Sequence, residues 1–341
     1  MEIFMNILLT SVGRRAYMVR YFKNAVGESG KVYASNSDDK TSAFNYADGS
    51  VITPLIYDEK YIPFLLNYCK EKKIDILVSL FDIDLPVLAG NKEKFAEIGT
   101  RVIVSDPGII GICNDKWKTY TFLKENGFAV PKTYLSLKSV MYAIDNGEMH
   151  YPVVVKPRFG CGSIALSIAE DEMALLYYFR RNTRTINKSY LKYESAAEEE
   201  KIIYQEMLPG EEYGADIIND LDGNTKAVNI RKKVAMRAGE TDIAELCKNE
   251  KIESELVRLG RLTRHIANMD ADIFFDGKTP YILEMNARFG GGYPFSHMGG
   301  CDLPQAIVNW VKGDAVPDEM LRSKTGIKGY KEIEIKSEGL K

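Results

Sequence analysis

The chain has 341 residues, 45% hydrophobic and 27% charged, a balance that suits a globular protein of two or three domains. A net charge of −3 offers no global basic face, so no nucleic-acid partner is expected. No run approaches the ~18 apolar residues of a membrane helix, and five scattered cysteines without a CxxC pair argue against a zinc site or a disulfide framework. The N-terminal apolar run is short and followed by charge, unlike a signal peptide, so a soluble cytoplasmic protein is expected. Three histidines, none in a nucleophile motif, direct attention to Lys, Arg and a metal as the carriers of charge stabilisation.

In chain order, the pattern predicts strands over 5–10, 31–35, 49–53, 74–80 and 101–105, with helices over 15–25 and 61–72. Strands separated by helical segments imply parallel pairing in a doubly wound α/β sheet. Asp106-Pro107-Gly108 interrupts both periodicities and marks a boundary. A smaller α+β unit follows, with helices over 116–126 and 138–145, an extended stretch over 131–135 and a strand over 151–157. The polar segment 177–201 reads as a solvated helix and loop. Strand signals return at 202–208, 214–220 and 226–236, the last two joined by a hairpin at Asp222-Gly223. A helix is expected over 253–269, then a hairpin of 272–275 and 280–285.

Three segments carry chemistry. Lys156 closes an apolar strand and runs at once into Arg158-Phe159-Gly160-Cys161-Gly162-Ser163, where Gly160, Gly162 and Ser163 let backbone N–H groups approach a phosphate. This is not the P-loop pattern. Glu206, Met207 and Leu208 end an apolar strand whose exposed backbone edge could pair with an adenine, and a carboxylate a few residues on could grip ribose hydroxyls. Glu284 and Asn286 alternate in a strand and so face one side, beside a hairpin partner that bears Asp272. Two carboxylates and an amide oxygen suit magnesium. Arg288, two residues further on, could neutralise a transferring phosphoryl group.

In this order the three segments, with Ile282-Leu283-Glu284-Met285-Asn286-Ala287-Arg288-Phe289-Gly290-Gly291 as the most specific, resemble the ATP-grasp superfamily, and within it the relatives of the carbamoyl-phosphate synthetase large subunit. The resemblance implies a pre-ATP-grasp, Rossmann-like domain over 1–107, then an ATP-grasp fold of two α+β subdomains. These are a lid over 108–204 with the glycine loop and a metal-bearing unit over 205–341. It implies ATP as the nucleotide, Mg2+ with Mn2+ as the alternative ion, Lys116 and Lys156 as nucleotide-contacting cations, and Glu206 to Leu208 as the adenine hinge. Glu212 becomes the ribose carboxylate, with Glu211 the alternative, Asp272, Glu284 and Asn286 the metal ligands, and Arg288 the phosphate-binding arginine.

The implied reaction is the phosphorylation of a carboxylate to an acyl phosphate, which an amine then attacks, releasing ADP and phosphate; a homodimer is the common assembly of such enzymes. Arg231 and Lys233, on one side of a strand, are candidates for holding the substrate carboxylate or acyl phosphate, against the alternative of a solvated basic strand. Ser296 and His297 are candidates for the acceptor pocket, and the loop 11–15 sits where α/β sheets bind ligands. Competing readings are a carbamoyl-phosphate-type phosphotransferase and a non-catalytic nucleotide-binding subunit. A nicotinamide oxidoreductase is disfavoured by the missing GxGxxG pattern.

Overall fold

The computed structural model describes residues 4–160, 162 and 164–335; Cys161 and Ser163 lie outside the described residues. Five strands, β1 (Met5–Thr10), β2 (Gly30–Asn36), β3 (Gly49–Ile52), β4 (Ile76–Ser79) and β5 (Arg101–Ile103), form a parallel sheet in the order β3-β2-β1-β4-β5. β1 and β4 are buried at every position, as strands covered on both faces must be. The strand order reverses between β1 and β4, so the crevice beyond their C-terminal ends is where this topology places a ligand. The segments after Thr10 and after Ser79 line it.

The second sheet holds β6 (Thr133–Tyr134), β7 (Val153–Pro157), β8 (Ser167–Ala169) and β9 (Ile202–Glu206) in the antiparallel order β6-β9-β7-β8. The amphipathic helices Leu137–Asp145 and Glu172–Lys188 close a core of its own around Val140, Val153, Val155, Leu175 and Tyr204. β9 runs through Glu206 and so crosses the 204/205 division expected from the sequence.

The third sheet is antiparallel: β10 (Glu211–Asn219), β11 (Thr225–Arg237), β12 (Glu240–Cys247), β13 (Asn268–Phe275), β14 (Pro280–Asn286) and β15 (Ile327–Tyr330), in the order β14-β13-β10-β11-β12-β15. Residues from both of its faces join the parallel sheet in two cores. Leu8, Tyr61 and Leu77 pack in one cluster with Ile217, Met269 and Met285; Ile7, Leu9 and Val78 pack in another with Ile218, Phe289 and Leu303.

The mixed α/β architecture agrees with the sequence reading, with local corrections. Pro107 does not break structure but opens the helix Pro107–Asn114 at its first turn, where a missing N–H costs nothing. The helix expected over 253–269 is Glu250–Thr263. It stops because Arg264 turns left-handed at φ 46°, and β13 begins at Asn268. His265 therefore lies beyond the helix rather than in it. Strands β8, β12 and β15 were not expected.

Candidate active site

The helix Lys116–Glu125 begins at an N-cap, Asp115, whose carboxylate accepts from the N–H groups of Trp117 and Lys118. Arg158 grips the same carboxylate at both ends, Nε to Oδ1 at 2.8 Å and Nη2 to Oδ2 at 2.7 Å. The clamp ties the helix start to the end of β7, and Asp115 and Phe159 form an isolated β-bridge. Lys116 is thereby aimed across the cleft. Its ammonium donates to the Gly160 carbonyl and lies 3.6 Å from Glu284.

Lys156 is buried and donates to the Gln205 amide oxygen Oε1 at 2.9 Å. Burial, opposed by Glu284 and assisted by Lys116, brings its ammonium down to about 8. At neutral pH the lysine is still mostly charged, and a poorly solvated ammonium with a second cation beside it is a ready partner for an anion. Gly160 has φ +93°, and any Cβ there would overlap Leu191. Lys116, Lys156, Gly160, Gly162, Glu212, Asp272 and Glu284 all line one cavity of about 130 Å³.

Opposite the lysines, the β13–β14 register pairs Asp272 with Glu284 and Asp270 with Asn286. Strand alternation puts these four on one face. Lys233, on β11, reaches Glu212 at 2.6 Å and Asp272 at 2.7 Å. Burial works against its charge, but the two carboxylates outweigh it and hold the ammonium above its ordinary value. Glu212 faces the cavity, whereas Glu211 is exposed and pairs with Lys232.

Behind this layer runs a buried ion network. Arg231 donates to Asp216 and to Asp270, both at 2.6 Å, and Ser296 donates to Asp216 at 2.6 Å. Arg231 is 1% exposed, so the solvated-strand alternative does not hold, and its Nε has no hydrogen-bond partner among the described residues. Arg288 bonds Asp270 at 3.1 Å and Asp82 at 3.1–3.2 Å. The face that carries Arg15, Arg231, Lys233, Glu240, Arg288 and Gly292 bounds a second cavity of about 430 Å³, which shares Gly162, Glu212, Asp272 and Glu284 with the first.

Other expected residues fall outside these cavities. Glu206 ends β9 and accepts from the Lys132 N–H, Met207 is exposed, and neither they nor Leu208 line either cavity. Ser163 lies outside the described residues. Ser296 is buried under Asp216 and His297 stacks on Tyr21 with ring centroids 3.7 Å apart, so the acceptor-pocket expectation for this pair is corrected. Sequence reasoning missed Asp82, Asp216, Asp270 and Glu240; Asp270, two residues before Asp272 on the same strand, carried a signal in that alternation, whereas the others acquire meaning only through long-range pairing. A larger cavity of about 660 Å³ lies elsewhere, between Ala89–Pro107 and Leu221 and Ile266.

The donor set fits a hard cation. Asp272, Glu284 and Asn286 offer oxygen only, and burial, reinforced by Asp270 and Glu284 and only partly offset by Lys233, lifts the Asp272 carboxyl above its ordinary value. A divalent ion would relieve that repulsion. No group of three His, Cys, Asp or Glu side chains able to hold an ion is present among the described residues, and magnesium in such sites is completed by substrate phosphates and water.

Comparison with known proteins agrees with this geometry. Residues 7–103 match a family described as PylC-like, N-terminal domain, and residues 113–292 match the ATP-grasp domain. The carbamoyl phosphate synthase large chain of Clostridium acetobutylicum is 21% identical over 291 residues, covering 82% of this chain. This chain spans about a quarter of that relative's length, 25%. D-alanine–D-alanine ligase A of Clostridium perfringens is 25% identical over 268 residues, covering 71% of this chain and 82% of its own. Among solved structures, the biotin carboxylase domain of Hydrogenobacter thermophilus 2-oxoglutarate carboxylase, determined with MgADP and bicarbonate, superposes with TM-score 0.73 at 16% identity, over 95% of this chain and 73% of that one. At that identity the likeness speaks for the fold. Among the described residues no helix is long and apolar enough to cross a membrane. Facing lysines and carboxylates across a cleft, and an ATP-grasp match over more than half of the 341 residues, make the chain a member of the ATP-grasp family.

Proposed function

We propose that the protein is an ATP- and magnesium-dependent carboxylate–amine ligase that releases ADP and phosphate. The observation that carries this reading is the convergence of Lys116 and Lys156 with Glu212, Asp272 and Glu284 on one cavity that opens into a larger pocket of both charge signs.

In this reading Lys116 and Lys156 neutralise the nucleotide phosphates, Glu212 takes the ribose hydroxyls, and residues 206–208 supply the adenine edge. Asp272, Glu284 and Asn286 would hold magnesium, which supplies charge neutralisation between the phosphates. Arg288 orients the transferring phosphoryl group as a substrate carboxylate attacks it. Arg231, whose Nε has no partner among the described residues, and Lys233 stand behind the resulting acyl phosphate. The amine then displaces phosphate, and closure of the glycine loop excludes water from the intermediate. Glu240, an acid lining the same pocket as Arg288, suits an incoming ammonium. Burial opposes its ionisation, but Lys331, Arg15 and Arg14 hold it below the usual carboxylate range.

The relative named D-alanine–D-alanine ligase supports amide formation over the carbamoyl-phosphate-type alternative suggested by the large-chain relatives. A cytoplasmic homodimer belongs to the same reading. The test is to incubate the protein with ATP, magnesium and pooled amino acids and to measure nucleotide products. Amino-acid-dependent ADP is expected, and Glu284→Gln should abolish it while leaving thermal unfolding unchanged. AMP as the product, or full activity in Glu284→Gln, would remove the assignment.

A further inference from the structure

We propose that Asp82, carried by the N-terminal sheet and 206 residues away from its partner, is a positioning residue for Arg288, so that the phosphate-orienting arginine is aimed jointly by two parts of the fold. The proposal rests on the role given to Arg288 above. Arg288 stands past the end of β14, where its N–H turns back to the Asn286 carbonyl at 2.8 Å and its carbonyl accepts from the Asn268 side chain at 3.2 Å; these contacts fix its backbone but not its side chain. A long side chain on such a segment has no orientation of its own.

Two carboxylates supply one. Asp82 takes the Nε and Nη2 edge at 3.2 and 3.1 Å, and Asp270 takes Nη1 at 3.1 Å. Clamped on both edges, the guanidinium plane is set before a phosphate arrives, which is how a preorganised cation differs from a tethered one.

The segment that carries Asp82 is itself anchored. Its carbonyl accepts from the Asn114 side chain at 2.9 Å. Two residues on, the fully buried Asp84 accepts from Thr10 at 2.6 Å, Ser11 at 2.8 Å, and Ser79 and Tyr61 at 2.9 Å each. These hydroxyls come from both strands that flank the crevice and from the helix Tyr61–Lys72, so the loop after β4 is pinned to its own sheet. Arg15 donates both to the Leu80 carbonyl and to the Phe289 carbonyl, and so joins the Asp82 loop to the Arg288 loop a second time. A carboxylate on so short a side chain, carried by a segment held this firmly, transmits its position instead of following the arginine.

The test compares affinities for two magnesium nucleotides, the β,γ-imido analogue of ATP and ADP, by calorimetry. Asp82→Asn, Asp82→Ala and Arg288→Ala are measured, with thermal unfolding in parallel. Arg288→Ala and Asp82→Ala should each weaken the triphosphate by about tenfold and ADP by less than about twofold. Asp82→Asn, which keeps one acceptor, should fall between. A purely structural ion pair would lower the melting temperature and shift both nucleotides together. Should Asp82→Ala lose cooperative unfolding, Asp82→Asn carries the comparison. Equal or absent shifts in the Asp82 variants, while Arg288→Ala still weakens the triphosphate selectively, overturn the proposal alone. An unaltered triphosphate preference in Arg288→Ala overturns the role of Arg288 and the proposal with it.

Discussion

Burial brings the Lys156 ammonium from 10.5 down to about 8, and this one shift has opposite consequences for binding and for stability. Between pH 8 and 10.5 the unfolded chain holds a proton that the folded chain has lost, so stability rises with pH across that window and the full penalty is present below it. In its proposed role Lys156 meets the nucleotide in the charged form, so binding should weaken as pH rises from 7 to 9.5. Lys156→Met should therefore raise the melting temperature at pH 7 by about 2–4 °C, gain less at pH 10, and bind MgADP at least about tenfold more weakly at pH 7. Paired thermal and calorimetric titrations check this, and a destabilised Lys156→Met would remove the desolvation argument. At this scale the sequence reading reached the residues whose side is set by strand alternation: Lys156, Asp272, Glu284 and Asn286. It did not reach Asp82 or Asp216, because nothing local to an isolated aspartate tells a solvated charge from one that meets an arginine across the fold.

At the scale of elements, the loop after β14 lays backbone directly on the ion network. A Cβ on Gly290 would overlap the Asp270 carboxylate and one on Gly292 the Arg231 guanidinium, whereas one on Gly291 would stand 3.5 Å from Glu240. None of the three has the left-handed φ that demands glycine, so close approach is the only constraint. Gly290→Ala and Gly292→Ala should each cost about 1–3 kcal/mol in denaturant unfolding. Gly291→Ala should fold normally and raise KM for the substrate that enters the second cavity. Loss of stability in Gly291→Ala with none in its neighbours would contradict the packing described. The elements that the sequence hid have comparable physical reasons. In β12 the buried positions are Thr241, Ala244 and Leu246, because register shifts around Ala235 on β11 leave the alternation broken. The helix Glu250–Thr263 ends without a glycine, on an arginine in the left-handed region, so no stop signal interrupts its apolar pattern.

Across the whole molecule, the cores divide differently from the chain. Both large clusters join the N-terminal parallel sheet to the six-stranded sheet, and the linking helices add Ile110, Cys113 and Leu123 to the first. The four-stranded sheet keeps a separate, smaller core. Its ties to the rest at the cleft include polar and aromatic contacts such as the Arg158–Asp115 clamp, Lys116 on the Gly160 carbonyl, Tyr57 on Glu194 at 2.7 Å, and the Tyr57–Tyr193 stack at 4.6 Å. Cooperative units follow shared apolar burial rather than sequence order. Hydrogen exchange should accordingly give one highly protected unit containing β1, β4, β10 and β13, with a second, containing β7 and β9, that opens at lower free energy. If Lys156 and the opposite sheet hold the nucleotide as proposed, MgADP should slow exchange in β7 and β9 more than in β1 and β4, by up to the linkage term of about 2.7 kcal/mol at a hundredfold excess over Kd. Uniform exchange across all three sheets, or protection gained mainly in β1, would show that the lid does not open as a unit and that the nucleotide does not hold it shut.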